Sequence, residues 1–281
     1  MLRLVLLSAA LAAGVAHAAT PVRLNLSSER SDYNLSTSAD GRHRVFARSD
    51  ADFRNAMIYE SSRGPDSWSA PAPIAFADPR WRDSDPWLTP DGATLYFISD
   101  RPAAARTDRR DLDLWRATRT DDGWNAPEHL GDAVNSPGEE LGPELHGGVL
   151  YFSSTRPGSA GGLDIYAARQ VGSGFDAAQA LPAPINSPGV ESDFTLSPDG
   201  STAVFWRVVE GRLLLHRATR EGADWRAAEA LGADANPGPG QITPAFSADG
   251  RRLTFASDVA RAGQAAGLFD LYVIAWPPAA P

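Results

Sequence analysis

Four acids and one amide, Asp32, Asp83, Glu140, Glu191 and Gln241, recur roughly every fifty residues in similar local contexts. If the repeats surround an axis, these oxygen donors meet at one height. Like charges near 8 Å repel by roughly 2 kcal/mol at an effective dielectric of 20, so such a ring has to be hydrated, partly protonated, ion-paired or occupied by a cation. Calcium accepts several carboxylate and amide oxygens at flexible geometry, and Asp32, Asp83, Glu140 and Glu191 would be its carboxylate ligands. The alternative is structural: each acid accepts N–H groups from a neighbouring loop and holds adjacent units together, as charged networks often do. Asp85 and Asp193 stand two positions beyond two of these acids, and Arg30 and Arg82 are placed to neutralise part of the charge. Trp81 and Trp87 flank "RDSDP" and break the repeat pattern. With Arg82 they are candidates to contact a ligand, by stacking on a sugar or a cationic group, against the alternative of a packed loop.

Hydrolysis by such acids would need two carboxylates in unequal environments, one acid and one base or nucleophile. Acids at equivalent repeat positions are what duplication produces, and a division of labour is not visible in them. No G-x-S-x-G elbow, H-E-x-x-H pair or Gly-rich phosphate loop occurs. His43, His129, His146 and His216 occupy unrelated positions of the repeat, so a zinc site is not expected. Asp113, Asp164 and Asp270 share one strand position in three units, where the other two carry Met57 and Leu214. A structural hydrogen bond to a loop is the expectation there. Catalytic residues are therefore assigned to none, with a glycoside hydrolase-like or other hydrolase using the channel carboxylates as the rival reading.

The elements that must position these groups are legible as a fivefold repeat. Short strands ending in Phe46, Phe97, Phe152, Phe205 and Phe255 follow tight turns, four of which read Asp-Gly while the third unit has Gly147-Gly148. A further strand in each unit places Tyr59, Trp115, Tyr166, His216 and Tyr272 at one position, and Trp68, Trp124, Phe175 and Trp225 mark a fourth element that the last unit lacks. "VRLNL", from Val22 to Leu26, alternates at the start and belongs to no complete unit. These features predict an all-β five-bladed β-propeller of four-stranded blades, closed by the N-terminal strand completing the last blade. The expected blades are residues 30–82, 83–138, 139–189, 190–239, and 240–281 plus 21–27, within a single domain of residues 19–281.

"PWLTPDGATLYFISDRP" with "LDLWRATRTDDGWNAPEHLGDAVNSPG", and "LYFSSTRPGSAGGLDIYAAR", resemble the WD-like repeat of TolB-type exported bacterial propellers. The resemblance covers nearly all of the chain after its leader and implies a propeller, of a kind that occurs in envelope scaffolds, receptors and the non-catalytic halves of hydrolases. It reaches neither the N-terminal α/β domain of TolB nor a peptidoglycan-binding domain.

Composition narrows the setting. Residues 1–18 carry one basic residue, an apolar run and Ala16-His17-Ala18, the pattern of a cleaved signal peptide. The chain of 281 residues has no cysteine, which removes disulfides, thiolate metal sites, cysteine nucleophiles and a lipidated cysteine. A formal net charge of −9 argues against nucleic acid as a partner. The expectation is a periplasmic or secreted monomer without a membrane span, which binds an envelope protein, a peptide or a glycan where the channel opens. Loops of unequal length, beginning at Arg101 and Arg156, would carry specificity.

Overall fold

The computed structural model describes residues 20–103 and 110–278. The leader assigned to residues 1–18, and part of the loop that begins at Arg101, lie outside the described residues.

Five antiparallel sheets are present, each entered by an inner strand: Ser31–Thr37, Asp83–Leu88, Glu140–His146, Glu191–Leu196 and Gln241–Phe246. Second strands return along them at His43–Ser49, Thr94–Ser99, Val149–Ser154, Thr202–Val209 and Arg252–Ser257. Third strands follow at Met57–Ser62, Asp113–Thr120, Asp164–Val171, Arg212–Glu221 and Asp270–Ala275. The outer strands have only two residues each. In blades 1 to 4 they are Ala72–Pro73, Glu128–His129, Gln179–Ala180 and Glu229–Ala230. In blade 5 the outer strand is Val22–Arg23, with Val22 opposite Val273 and Arg23 opposite Tyr272. The chain is therefore a five-bladed propeller closed by its N-terminal strand.

That closure is packed as well as paired. Leu24 donates its N–H to Leu271 O at 2.8 Å, and Leu271 N donates to Ser27 Oγ at 3.0 Å. Leu26 is buried in a cluster that joins Tyr33 and Phe46 of blade 1 to Phe269 and Leu271 of blade 5. Burial of apolar surface across every seam supplies the main stabilisation of such a ring.

The repeated aromatics explain themselves in register. Phe46, Phe152, Phe205 and Phe255 pair across the strands with Tyr59, Tyr166, His216 and Tyr272, and each pair stacks with centroids 5.9 to 6.1 Å apart. The aromatic marker of the fourth element needs refinement. Trp124, Phe175 and Trp225 lie on two-residue extensions that pair with the end of the third strand, and the outer strand proper comes a few residues later.

Candidate functional site

Each recurring acid is bound within its own blade, and the expected convergence does not form. Asp32, Glu140 and Glu191 are fully buried, and Asp83 nearly so. Arg48 Nε donates to Asp32 at 2.7 Å, Arg101 Nη2 to both oxygens of Asp83 at 2.7 and 2.6 Å, Arg156 Nη2 to Glu140 at 3.3 Å, and Arg207 Nε to Glu191 at 2.7 Å. The remaining lone pairs are taken locally. Ser28 caps Asp32 through its N–H and hydroxyl, Ser136 caps Glu140 in the same way, and Ser187 does so for Glu191. Every one of the four arginines also lies over an aromatic ring of its blade, as Arg156 does over Tyr166 at 4.5 Å.

The fifth blade supplies the control. Gln241 replaces the acid, and Ser257 stands opposite it in register where blades 1 and 4 place Arg48 and Arg207. Acid and arginine are missing together, which is the signature of a structural pair. Among the described residues no group of three or more His, Cys, Asp or Glu is placed to hold a metal ion. The calcium assignment to Asp32, Asp83, Glu140 and Glu191 is corrected accordingly: their oxygens are spent on arginine and serine, one blade at a time. The neutralising arginines are Arg48, Arg101, Arg156 and Arg207, from the second strands and the loops just after them. Among the described residues the Arg30 side chain donates only to Asn55 O, at 3.5 Å.

The repeated "NSPG" stretch belongs to this clasp. Asn135 and Asn186 each exchange two hydrogen bonds with the backbone of the preceding third strand, at Leu114 and Ile165, while the serine that follows caps the acid. Asn236 does the same to Leu215 of blade 4 as the chain enters blade 5, where serine, acid and arginine are all gone. Asp164 accepts the N–H groups of Ala160 and Gly161, Asp270 is paired with Arg23 and Arg261, and Asp113 with His129.

The residues that do meet at the axis lie two positions further along. Every inner strand is bulged there, and the residue at the kink has positive φ: Asn34 at 50°, Asp85 at 50°, Gly142 at 55°, Asp193 at 56° and Thr243 at 54°. Asn, Asp and Gly tolerate this region, whereas a β-branched Thr is strained in it. Side chains bridge the ring from one blade to the next. Gly142 N donates to Asp85 Oδ2 at 3.0 Å, Thr243 N to Asp193 Oδ2 at 3.0 Å, and Asn34 N to Thr243 Oγ1 at 3.1 Å. A Cβ on residue 142 would stand 2.7 Å from Asp193 Oδ1, so this blade must carry glycine.

Burial and proximity govern the charge here. Desolvation raises the pKa of Asp85 above the ordinary carboxylate value, opposed by the Ser84 hydroxyl, the Arg82 charge and the Gly142 N–H. Desolvation, then the Asp85 charge, pushes Asp193 up to about 7 against the hydrogen bond from Trp206 Nε1 at 2.6 Å. Glu144, two residues beyond the kink, is raised to about 7 by burial while it accepts Leu196 N–H at 2.9 Å. The space open to a water-sized sphere at this hub is about 30 Å³, bounded by Asn34, Pro86, Trp87, Pro143, Asp193 and Pro244. That admits a water or a bare ion and excludes a sugar ring or a side chain.

Trp81 and Trp87 do not share a site. Trp87 lines the hub and tilts against Tyr96, while Trp81 lies before the strand begins, in the company of Arg80 and Arg110. Arg82 is the one flanking residue whose charge reaches the ring.

Three solved structures of similar shape place this architecture among known proteins. TolB from Acinetobacter baumannii superposes with a TM-score of 0.53 at 15% identity, over 90% of this chain and 56% of that one. The likeness is one of fold, a TolB-type β-propeller. A thermostable family-43 glycoside hydrolase gives 0.57 at 10% identity, covering 89% and 95% of the two chains. The catalytic domain of a family-62 α-L-arabinofuranosidase from Coprinopsis cinerea gives 0.55 at 11%, covering 94% and 98%. The chain thus spans little more than half the length of the TolB it resembles. No family model matches the sequence, and no curated protein matches it. No helix among the described residues is long and apolar enough to cross a membrane.

Proposed function

We propose that this chain is an exported, non-catalytic propeller that acts as a monomer in the periplasm or the medium. It binds an envelope protein, a peptide or a glycan on the face that carries the "NSPG" clasps and the loops after the second strands. The observation that carries this reading is the fate of the carboxylates. The four that recur are held by arginines of their own blades, and the ones at the axis border a space of about 30 Å³. Glycoside hydrolysis needs two carboxylates flanking a bond of a bound sugar, with room for the ring and, in inverting enzymes, for a water. That room is missing at the hub.

A hydrolase remains the second reading because Asp85 and Asp193 differ in their partners and both hold their protons above the ordinary range, as general acids do. The two readings separate on one panel of chromogenic glycosides and peptide substrates. The binding reading expects no turnover above buffer for the intact protein. Turnover that disappears in Asp193→Asn, with the variant still folded, would replace it by the hydrolase.

A further inference from the structure

Where a blade meets the next on the face of the inner turns, the five seams can be compared position by position. At the seam of blades 1 and 2, Arg119 lies over Trp124 at 4.3 Å and donates through Nε to Gly92 O at 3.0 Å. Its guanidinium is 3.9 Å from Glu60, and Trp124 Nε1 donates to the same carboxylate oxygen at 3.2 Å. Glu60 is the residue after Tyr59 of the third strand. At the seam of blades 3 and 4 the same cation lies over the same ring, Arg220 over Trp225 at 4.4 Å. The residue after Tyr166 is Ala167, so the carboxylate is absent. Among the described residues Arg220 makes no side-chain hydrogen bond or ion pair, and Trp225 Nε1 has no acceptor.

A second change opens this seam. In blade 4 the inner turn runs from Ser197 to Thr202, but in blade 3 His146 pairs directly with Val149 across Gly147-Gly148, two residues shorter. In two of the other seams turn packs on turn: Ala39 N donates to Pro90 O at 2.7 Å, and a Cβ on Gly250 would touch Pro198 at 3.2 Å. At the third seam it is the His146 ring that reaches toward the turn of blade 4, 3.4 Å from where a Cβ of Gly200 would stand. What remains is a groove of about 450 Å³, lined by His146, Val149, Tyr151, Leu196 and Arg220 among others. This is the size of a small-molecule site, in which Val149, Tyr151 and Leu196 supply the apolar lining and polar groups the larger share. Asp199 also borders it, yet its Oδ1 accepts from Ser197 Oγ and from the N–H and hydroxyl of Ser201. Asp40 and Asp249 cap their own turns in the same manner, so Asp199 belongs to the turn.

We infer that the groove between blades 3 and 4 binds a small organic carboxylate, whose charged end stands where Glu60 stands in the first seam. Arg220 pairs with it as Arg119 pairs with Glu60, Trp225 Nε1 donates to it as Trp124 Nε1 does to Glu60, and the body of the ligand lies on Val149, Tyr151 and Leu196. A free peptide terminus and a uronic acid share this chemistry. The site lies on the opposite face from the clasps and goes beyond the reading of where a macromolecular partner docks.

Titration calorimetry of the intact protein tests it, with N-acetylvaline, N-acetylvalinamide and glucuronate as probes. Binding of either acid, with at least tenfold weaker binding to Arg220→Gln and none of the neutral amide, is the expected result. Which acid binds distinguishes a peptide terminus from an acidic sugar. Ala167→Glu, which places a carboxylate at the position Glu60 holds in the first seam, is expected to abolish binding in a variant that circular dichroism shows to be folded. Equal binding of acid and amide, wild-type affinity in Arg220→Gln, or no heat with any probe at millimolar concentration overturns the assignment.

Discussion

A buried acid that recurs in four blades invites a chemical role, and its neighbours deny it one. Glu191 has its charge balanced by Arg207 and its second oxygen capped by Ser187 N, so its lone pairs face protein on every side. Buried ion pairs gain little net stability over an apolar or neutral replacement, but losing one partner alone leaves an uncompensated charge that costs about 3–5 kcal/mol. Gln241 with Ser257 is the neutral replacement already present in blade 5. Arg207→Ser should therefore destabilise the protein by about 3–5 kcal/mol in urea unfolding at pH 7, and Glu191→Gln/Arg207→Ser should regain most of that loss. A double variant no more stable than the single one would mean that the acid is not held in place chiefly by this arginine. The sequence displays both columns of residues, acids and arginines alike. What it hides is their pairing, because acid and arginine lie on opposite limbs of a bulged hairpin whose register cannot be counted from spacing alone.

The inner strands carry the second lesson. Asn34, Asp85, Gly142 and Asp193 are all residue types that accept positive φ, and Pro86, Pro143 and Pro244 follow three of the kinks. The signal for a bulge was present, yet period-two alternation reads such a stretch as a straight strand, which is why the acids at the strand start looked like the ring. The kinks also bring Glu144 of blade 3 under the backbone of blade 4, through its hydrogen bond to Leu196 N–H. Its pKa of about 7 lies above the ordinary value of 4.5, so the folded form keeps a proton that the unfolded chain has released. Stability from this group is complete below about pH 4.5, falls as pH rises toward 7, and is lost above, by on the order of 3 kcal/mol in all. Glu144→Gln should leave the urea midpoint unchanged at pH 4.5 and raise it at pH 8. An equal shift at both pH values would show that the proton on Glu144 plays no part in joining the two strands.

Circular closure makes the blades one molecule. The propeller and its last-blade closure were legible because a period of about fifty residues, five buried Phe positions and one orphan strand leave few other arrangements. The two-residue outer strands were not, since two residues carry no periodicity and the tryptophans beside them dominate the pattern. The hub, the clasps and the open third seam all depend on the ends of the chain meeting, with Val22 beside Val273. Because the protein has no cysteine of its own, Val22→Cys/Val273→Cys introduces a single thiol pair into it. Treatment of the folded protein with a short thiol-to-thiol crosslinker, followed by peptide mapping, reads the closure directly. Rapid, near-complete joining of residues 22 and 273 within one chain, with a raised melting midpoint, is the predicted result. Thiols that stay unlinked, or that link two chains, would contradict the closed ring.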